Sequence, residues 1–324
     1  MINPPIKTQT TQKKLLKRLI IGIFLTLILF ILLGCEQKQI LKIDDMIFEI
    51  KEDQVIQTNI DSDQTASFGV ISDPHGKSEN VAAFSRIFLQ KKVDGIILLG
   101  DYANNKATID PNHLFDFDDI YFCIKAAAQT NLPIYVIPGN HEYKKDYFQA
   151  LEKLNNEHPN VFDMTKIRFI HGEDFNFISN PYGSDFTYVL GHFEGDIKSF
   201  EEYINLLNNT NPVILLSHQP PRCNNKEGID RTNKEINVGD NTINILMRNN
   251  NIKFSLSGHI HEAGRKGVDS QCQLIPENTF STTMLFNPGT ATEWTYNNNE
   301  TLSASAAIIT INGSQMSYEL FKIE

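Results

Sequence analysis

The sequence predicts an α/β fold, on three observations. From residue 68 onward, short apolar runs alternate with stretches of helical periodicity, the pattern of layered strands and helices. Five of those apolar runs end directly on a side chain able to bind a metal, at the edge where open α/β sheets place their sites. The chain has 324 residues, 41% hydrophobic and 21% charged, enough for one sizeable domain plus an appendage and less suited to two domains.

The N-terminus precedes that pattern and has the three parts of an export signal. A basic stretch, Lys13 to Arg18, leads into an apolar run over 19–33 broken only by Gly22 and Thr26. Then comes Leu32-Leu33-Gly34-Cys35, which resembles the bacterial lipobox, whose cysteine is acylated and becomes the new N-terminus. The run is shorter than the roughly 20 residues of a spanning helix. An uncleaved membrane anchor is the alternative, and both readings put the body outside the cytoplasm. Residues 1–34 are therefore read as a lipoprotein signal peptide, with Cys35 as the lipidation site and membrane anchor. Residues 35–66 are read as a tether or an added edge strand around 46–50, and 67–324 as the folded domain.

Within the domain, strands are predicted at 68–72, 95–99, 134–137, 167–170, 186–190, 213–217, 254–257 and 284–286. Two more, at 304–311 and 316–323, form a hairpin through Asn312-Gly313-Ser314-Gln315. Amphipathic helices are predicted at 79–90, 118–129, 144–154, 197–207 and 240–249. Asparagine clusters such as Asn224-Asn225 and 249–251 fall between elements and mark turns.

Charge narrows the function. The first 34 residues hold five basic groups (Lys7, Lys13, Lys14, Lys17, Arg18) and no acidic ones, whereas the whole chain has 29 basic against 39 acidic. The remainder thus carries a net charge near −15. No basic patch stands out, so nucleic acid is not an expected partner. Beyond Cys35, the cysteines are Cys123, Cys223 and Cys272. Spacing favours three inert, unpaired thiols, with a Cys223–Cys272 disulfide as the alternative.

The strand ends carry the chemistry. Strand 68–72 runs into Asp73-Pro74-His75-Gly76, strand 95–99 into Gly100-Asp101, and strand 134–137 into Pro138-Gly139-Asn140-His141-Glu142. Strand 213–217 ends at His218, and strand 254–257 at Gly258-His259-Ile260-His261. Any one fragment is weak, because a lone polar residue after a strand is usually structural. Five in succession are not required by packing, and burying them unpaired would cost several kcal/mol.

That order of motifs resembles the calcineurin-like metallophosphoesterase superfamily over roughly 68–289. Ser217-His218-Gln219-Pro220-Pro221, Gly258-His259-Ile260-His261-Glu262 and Asn287-Pro288-Gly289 are similar to its small single-domain bacterial and archaeal members. The resemblance implies a four-layer α-β-β-α sandwich of two mixed sheets. It implies one metal held by Asp73, His75, Asp101 and His261 and a second held by Asp101, Asn140, His218 and His259. Mixed nitrogen and oxygen donors suit Mn, Fe, Zn, Co or Ni better than Mg. His259 and His261 would face one side only if their strand stays regular. The glycines beside the ligands, Gly76, Gly100, Gly139 and Gly258, would let backbone crowd the ions and adopt positive φ.

The expected activity is hydrolysis of phosphomonoesters or phosphodiesters, a water shared by the two metals attacking phosphorus. His141, outside both ligand sets, is the expected proton donor, with orientation of that water as its alternative role. Glu142 is expected to steer a neighbouring imidazole. Asn104 stands where purple acid phosphatases place a tyrosine, so no tyrosinate colour is expected. A surface lipoprotein that binds metal or a phosphorylated ligand without turnover is the competing function.

Overall fold

The computed structural model describes residues 39–59, 63–104, 116–181, 211–295 and 301–323. The signal segment, Cys35, the strand expected at 186–190 and the helix expected at 197–207 lie outside the described residues.

Strand alternation builds two sheets with apolar side chains on both faces. The smaller has six strands in the order β18 (Gln315–Ile323), β17 (Ala304–Asn312), β4 (Thr65–Ile71), β5 (Gly95–Leu98), β6 (Ile134–Val136) and β7 (Val161–Asp163). Its β4 to β7 pair in parallel, while β17 runs antiparallel to both β4 and β18. Asn312 pairs with Gln315, so the hairpin turns on Gly313 and Ser314, with Gly313 at φ 53°.

The larger sheet has ten strands. Their order is β1 (Gln39–Ile43), β2 (Met46–Lys51), β3 (Gln54–Gln57), β8 (Phe169–His171), β9 (Asn176–Ser179), β10 (Val213–Leu216), β11 (Phe254–Leu256), β14 (Met284–Asn287), β12 (Lys266–Val268) and β13 (Leu274–Ile275). Strands β9, β10, β11 and β14 are parallel neighbours. Residues 39–57 thus form three edge strands of this sheet, joined through β3 and β8 in parallel.

The two sheets pack face to face. Phe68, Val70, Ile97, Leu99, Tyr135 and Ile137 from one meet Phe177, Ile214, Leu216, Phe254, Leu256 and Phe286 from the other. Phe68 makes edge contacts with Phe175 and Phe177 at centroid distances of 4.7 and 4.9 Å. The intervening residues Ile71, Ile96, Leu98, Ile134 and Val136 point the other way. There they pack on α1 (Ser78–Lys91), α2 (Phe117–Ala128) and α3 (Lys144–Glu157). Leu215 and Leu285 on the outer face of the larger sheet meet Ile243 and Met247 of α4 (Asn241–Asn249). The result is the expected α-β-β-α layering, and each sheet being buried on both faces explains why its strands read as continuous apolar runs.

One expectation is overturned. Cys223 and Cys272 form a disulfide, where spacing alone favoured free thiols. They are 49 residues apart in sequence, yet their Cα atoms lie 6.0 Å from each other. Asn225 Nδ2 also donates to the Cys272 carbonyl at 2.9 Å, fastening the loop after β10 to the β12–β13 connection. Cys123 is free and buried, as expected.

Candidate metal centre

The loops leaving β4, β5, β6, β10 and β11 meet at one edge of the sandwich. Backbone bonds join the first two: Asp73 N–H donates to the Gly100 carbonyl and His75 N–H to that of Asp101, each at 3.0 Å. Gly100, at φ 95°, lies so close to Gly139 that a Cβ there would overlap the Gly139 backbone. Across the sheets, His259 N–H donates to the Asp73 carboxylate at 3.1 Å, and within the larger sheet Gly258 N–H donates to the His218 carbonyl at 3.0 Å.

Asp73, His75, Asp101 and His259 all take positive φ, between 43° and 68°. Such conformations cost of order 1–3 kcal/mol each for residues with a Cβ and collect at functional sites. The glycines behave only partly as expected. Gly76 and Gly100 have positive φ, whereas Gly139 and Gly258 serve close approach, a Cβ on each colliding with Asp101 or with Ser72 and Asp73.

Two groups of donors result. Asp73, His75 and His261 form one, and Asp101, His218 and His259 the other, the donor atoms within each lying within 4.8 Å of one another. In the first, His261 Nε2 is 3.3 Å from Asp73 Oδ1 and 3.3 Å from His75 Nε2. In the second, His218 Nε2 is 3.3 Å from Asp101 Oδ2, and Asn140 Oδ1 approaches it at 2.9 Å.

The donor chemistry fits cations. His75 Nδ1 meets the Ala103 carbonyl at 3.1 Å and His218 Nδ1 the Leu99 carbonyl at 2.7 Å. A carbonyl only accepts, so each Nδ1 carries the hydrogen and a neutral ring turns its Nε2 lone pair inward, as outer partners of metal-binding histidines arrange it. Burial, and then neighbouring imidazoles, hold His75 and His259 down at about 4, leaving them neutral and ready to ligate. Burial would lower His218 too, but the Asp101 carboxylate overrides it and pushes this ring up to about 10. Burial alone would raise the Asp101 carboxyl, yet the His218 and His141 rings hold it well below the usual range.

Two sequence expectations need correction. His259 and His261 do not reach the site by alternation on a strand. β11 stops at Leu256, His259 turns through φ 68°, and a short 3-10 turn begins at His261. Across that break the two rings enter different donor groups, His261 joining Asp73 and His75, and His259 joining Asp101 and His218. Glu142 touches no imidazole. Fully buried, it accepts backbone N–H groups from Asp101 and Ala103 at 3.2 Å each and from Gly139, tying the loops after β5 and β6. Burial and the Asp101 charge raise it to about 8, against the pull of those donors.

His141 stands at the solvent side of the second group. Its N–H donates to Asp101 Oδ1 at 3.0 Å, and its Nε2 is 3.8 Å from Asp101 Oδ2. Tyr102 is turned away from the site, its hydroxyl donating to the Ile137 and Leu98 carbonyls at 2.7 and 3.1 Å.

Two participants carried no assigned role in the sequence. Asn287, fully buried, donates Nδ2 to the Ile260 and Gly258 carbonyls at 3.0 and 3.3 Å, bracing the turn that carries His259. The Asn-Pro-Gly motif was its only signal. Trp294 packs edge-on against His261, centroids 4.5 Å apart, and lies 5.5 Å from His75. Nothing in its local sequence marks it.

A two-sheet α/β sandwich with paired carboxylate–imidazole groups on its strand-end loops is the architecture of a metal-dependent hydrolase. The calcineurin-like phosphoesterase family model matches residues 66–263, and the chain belongs to this family of phosphoric ester hydrolases. An uncharacterized protein of Methanocaldococcus jannaschii, MJ1162, is 28% identical over 134 residues, which is 41% of this chain and 57% of that protein. The chain thus matches little more than half the length of that relative. Among solved structures, TT1561 of Thermus thermophilus superposes with a TM-score of 0.55 at 13% identity, over 80% of this chain and all of that one. At that identity the likeness concerns the fold alone.

Proposed function

We propose that this protein is a dinuclear-metal phosphoesterase working outside the cytoplasm, held to a membrane through acyl chains on Cys35. Asp73, His75, Asp101 and His261 would hold one cation, and Asp101, Asn140, His218 and His259 the other, with Asp101 shared. The observation that carries this reading is the pair of inward-facing donor groups on adjoining loops. Two cations bound there would lower the pKa of a shared water and take up charge developing on the phosphoryl oxygens.

The chain's own residues divide the remaining work. The Leu99 and Ala103 carbonyls keep the His218 and His75 rings in the ligating tautomer. Glu142 and Asn287 hold the loops in register. His141, with Nε2 3.8 Å from Asp101 Oδ2 and outside both ligand sets, would supply the proton to the leaving oxygen.

Compartment and chemistry are mutually consistent. A Cys223–Cys272 disulfide persists in oxidising surroundings outside the cytoplasm. Several acyl chains anchor firmly, whereas one binds marginally. Membrane fractionation of wild type against Cys35→Ser tests the anchor, release of the variant being the expected result.

The enzymatic test is metal content together with hydrolysis of bis(p-nitrophenyl) phosphate and p-nitrophenyl phosphate in Mn²⁺. Two equivalents of metal per chain and turnover of at least one ester are expected. Metal binding without turnover of either would favour the non-catalytic surface lipoprotein, and absence of metal binding would remove both readings.

A further inference from the structure

Trp294 is the only tryptophan in the chain, and at 36% exposure it is among the few large apolar side chains left partly open to solvent. The sandwich does not require it. It sits on β15 (Trp294–Thr295), which pairs with β16 (Thr301–Leu302) in a two-stranded ribbon separate from both large sheets. Its ring instead abuts the candidate metal centre. The interplanar angle to His261 is 80° and to His75 is 40°, so the imidazoles of one donor group cover part of the indole and leave the rest free.

The approach to Trp294 is fixed by the site itself. Thr290 Oγ1 donates to the Asp73 carbonyl at 2.9 Å, Ala291 N–H to the Ser72 carbonyl at 2.8 Å, and Asn80 Nδ2 to the Ala291 carbonyl at 2.9 Å. The residues just before Trp294, Thr292 and Glu293, border a cleft of about 410 Å³ whose other lining includes Lys77, Glu79 and Asn80. An anchored, half-open indole beside paired cation ligands is a stacking surface. Every aromatic ring can use it, and aliphatic alcohols cannot.

We propose that Trp294 determines specificity by stacking on the leaving group, so that the site prefers phosphate esters whose leaving group carries a planar aromatic ring, a phenol or a nucleoside, over esters of aliphatic polyols. This rests on the phosphoesterase reading above. The competing role for the ring is to shield His75 and His261 from water, which would affect all substrates alike.

The test uses full-length, metal-replete protein as wild type, Trp294→Ala and Trp294→Phe. The kcat/KM values for p-nitrophenyl phosphate and for adenosine 5′-monophosphate are each compared with that for glycerol phosphate. In Trp294→Ala each ratio should fall about tenfold, the scale of lost base–aromatic stacking, and Trp294→Phe should restore most of it. A fall in only one ratio assigns the preference to aryl or to nucleoside esters. As the sole tryptophan reports on this site alone, adenosine 5′-monophosphate should quench wild-type fluorescence and glycerol phosphate should not. Ratios unchanged in Trp294→Ala, or equal quenching by both ligands, would overturn the proposal. If wild type hydrolyses neither these three monoesters nor bis(p-nitrophenyl) phosphate, the phosphoesterase reading fails; where no monoester turns over, selective quenching alone supports stacking and its absence rejects it.

Discussion

Asn287 offers the sharpest test of how the candidate site is held. Its side chain is fully buried, with Nδ2 donating to the Ile260 carbonyl at 3.0 Å and the Gly258 carbonyl at 3.3 Å, while Oδ1 accepts Gly289 N–H at 2.9 Å. Asn287→Ala strands the Gly289 N–H in a place water does not reach, whereas the Gly258 and Ile260 carbonyls keep only their bonds from Ile260 N–H and Ala263 N–H. An orphaned buried group costs about 1–3 kcal/mol, so the stranded Gly289 N–H predicts a loss of about 2 kcal/mol. For a chain of this size that is roughly 3 °C in Tm. Asn287→Asp keeps the shape and the acceptor but sets a carboxylate oxygen against two carbonyls, and should cost at least as much. Both variants should also bind metal more weakly, because the braced turn delivers His259 and His261. Urea unfolding and metal titration measure the two effects. If Asn287→Asp matches wild type in both, the turn is held by something else and the bracing argument is wrong.

Three further outcomes are expected. His141→Ala should keep its metal content while kcat falls about 10²- to 10⁴-fold; the loss should be larger for glycerol phosphate than for p-nitrophenyl phosphate, whose leaving group departs unprotonated, and equal losses would point to water orientation instead. Replacing Cys223 and Cys272 together by Ser opens a loop of 49 residues and should lower unfolding free energy by up to about 4 kcal/mol, read as a drop in denaturant midpoint, with wild type in reductant behaving alike. Gly139→Ala places a methyl against the Asp101 carboxylate and should reduce metal occupancy more than it reduces Tm; unaltered metal content would show that the loops after β5 and β6 have slack.

The sequence alone determined the elements and the inventory of the site. Short apolar runs over 68–72, 95–99 and 134–137 became β4, β5 and β6, and the helices read at 79–90, 118–129 and 144–154 became α1, α2 and α3 within a few residues. These are local properties, set by side-chain alternation and by punctuation at Gly and Pro. The residue types at the strand ends were equally legible, because carboxylates and imidazoles after buried strands have no packing purpose.

Which donors share a group was implied by the family resemblance, but no local pattern specifies it and tertiary structure decides it. His75 and His261 lie 186 residues apart in sequence, and they meet because β4 and β11 belong to facing sheets whose order no local pattern specifies. The disulfide, Asn287 beneath the turn and Trp294 beside His261 have the same origin. So do the left-handed conformations of Asp73, His75, Asp101 and His259, which the loops impose on one another by touching. Residues announce what they are able to do through their own chemistry, but which of them meet depends on how distant strands are ordered.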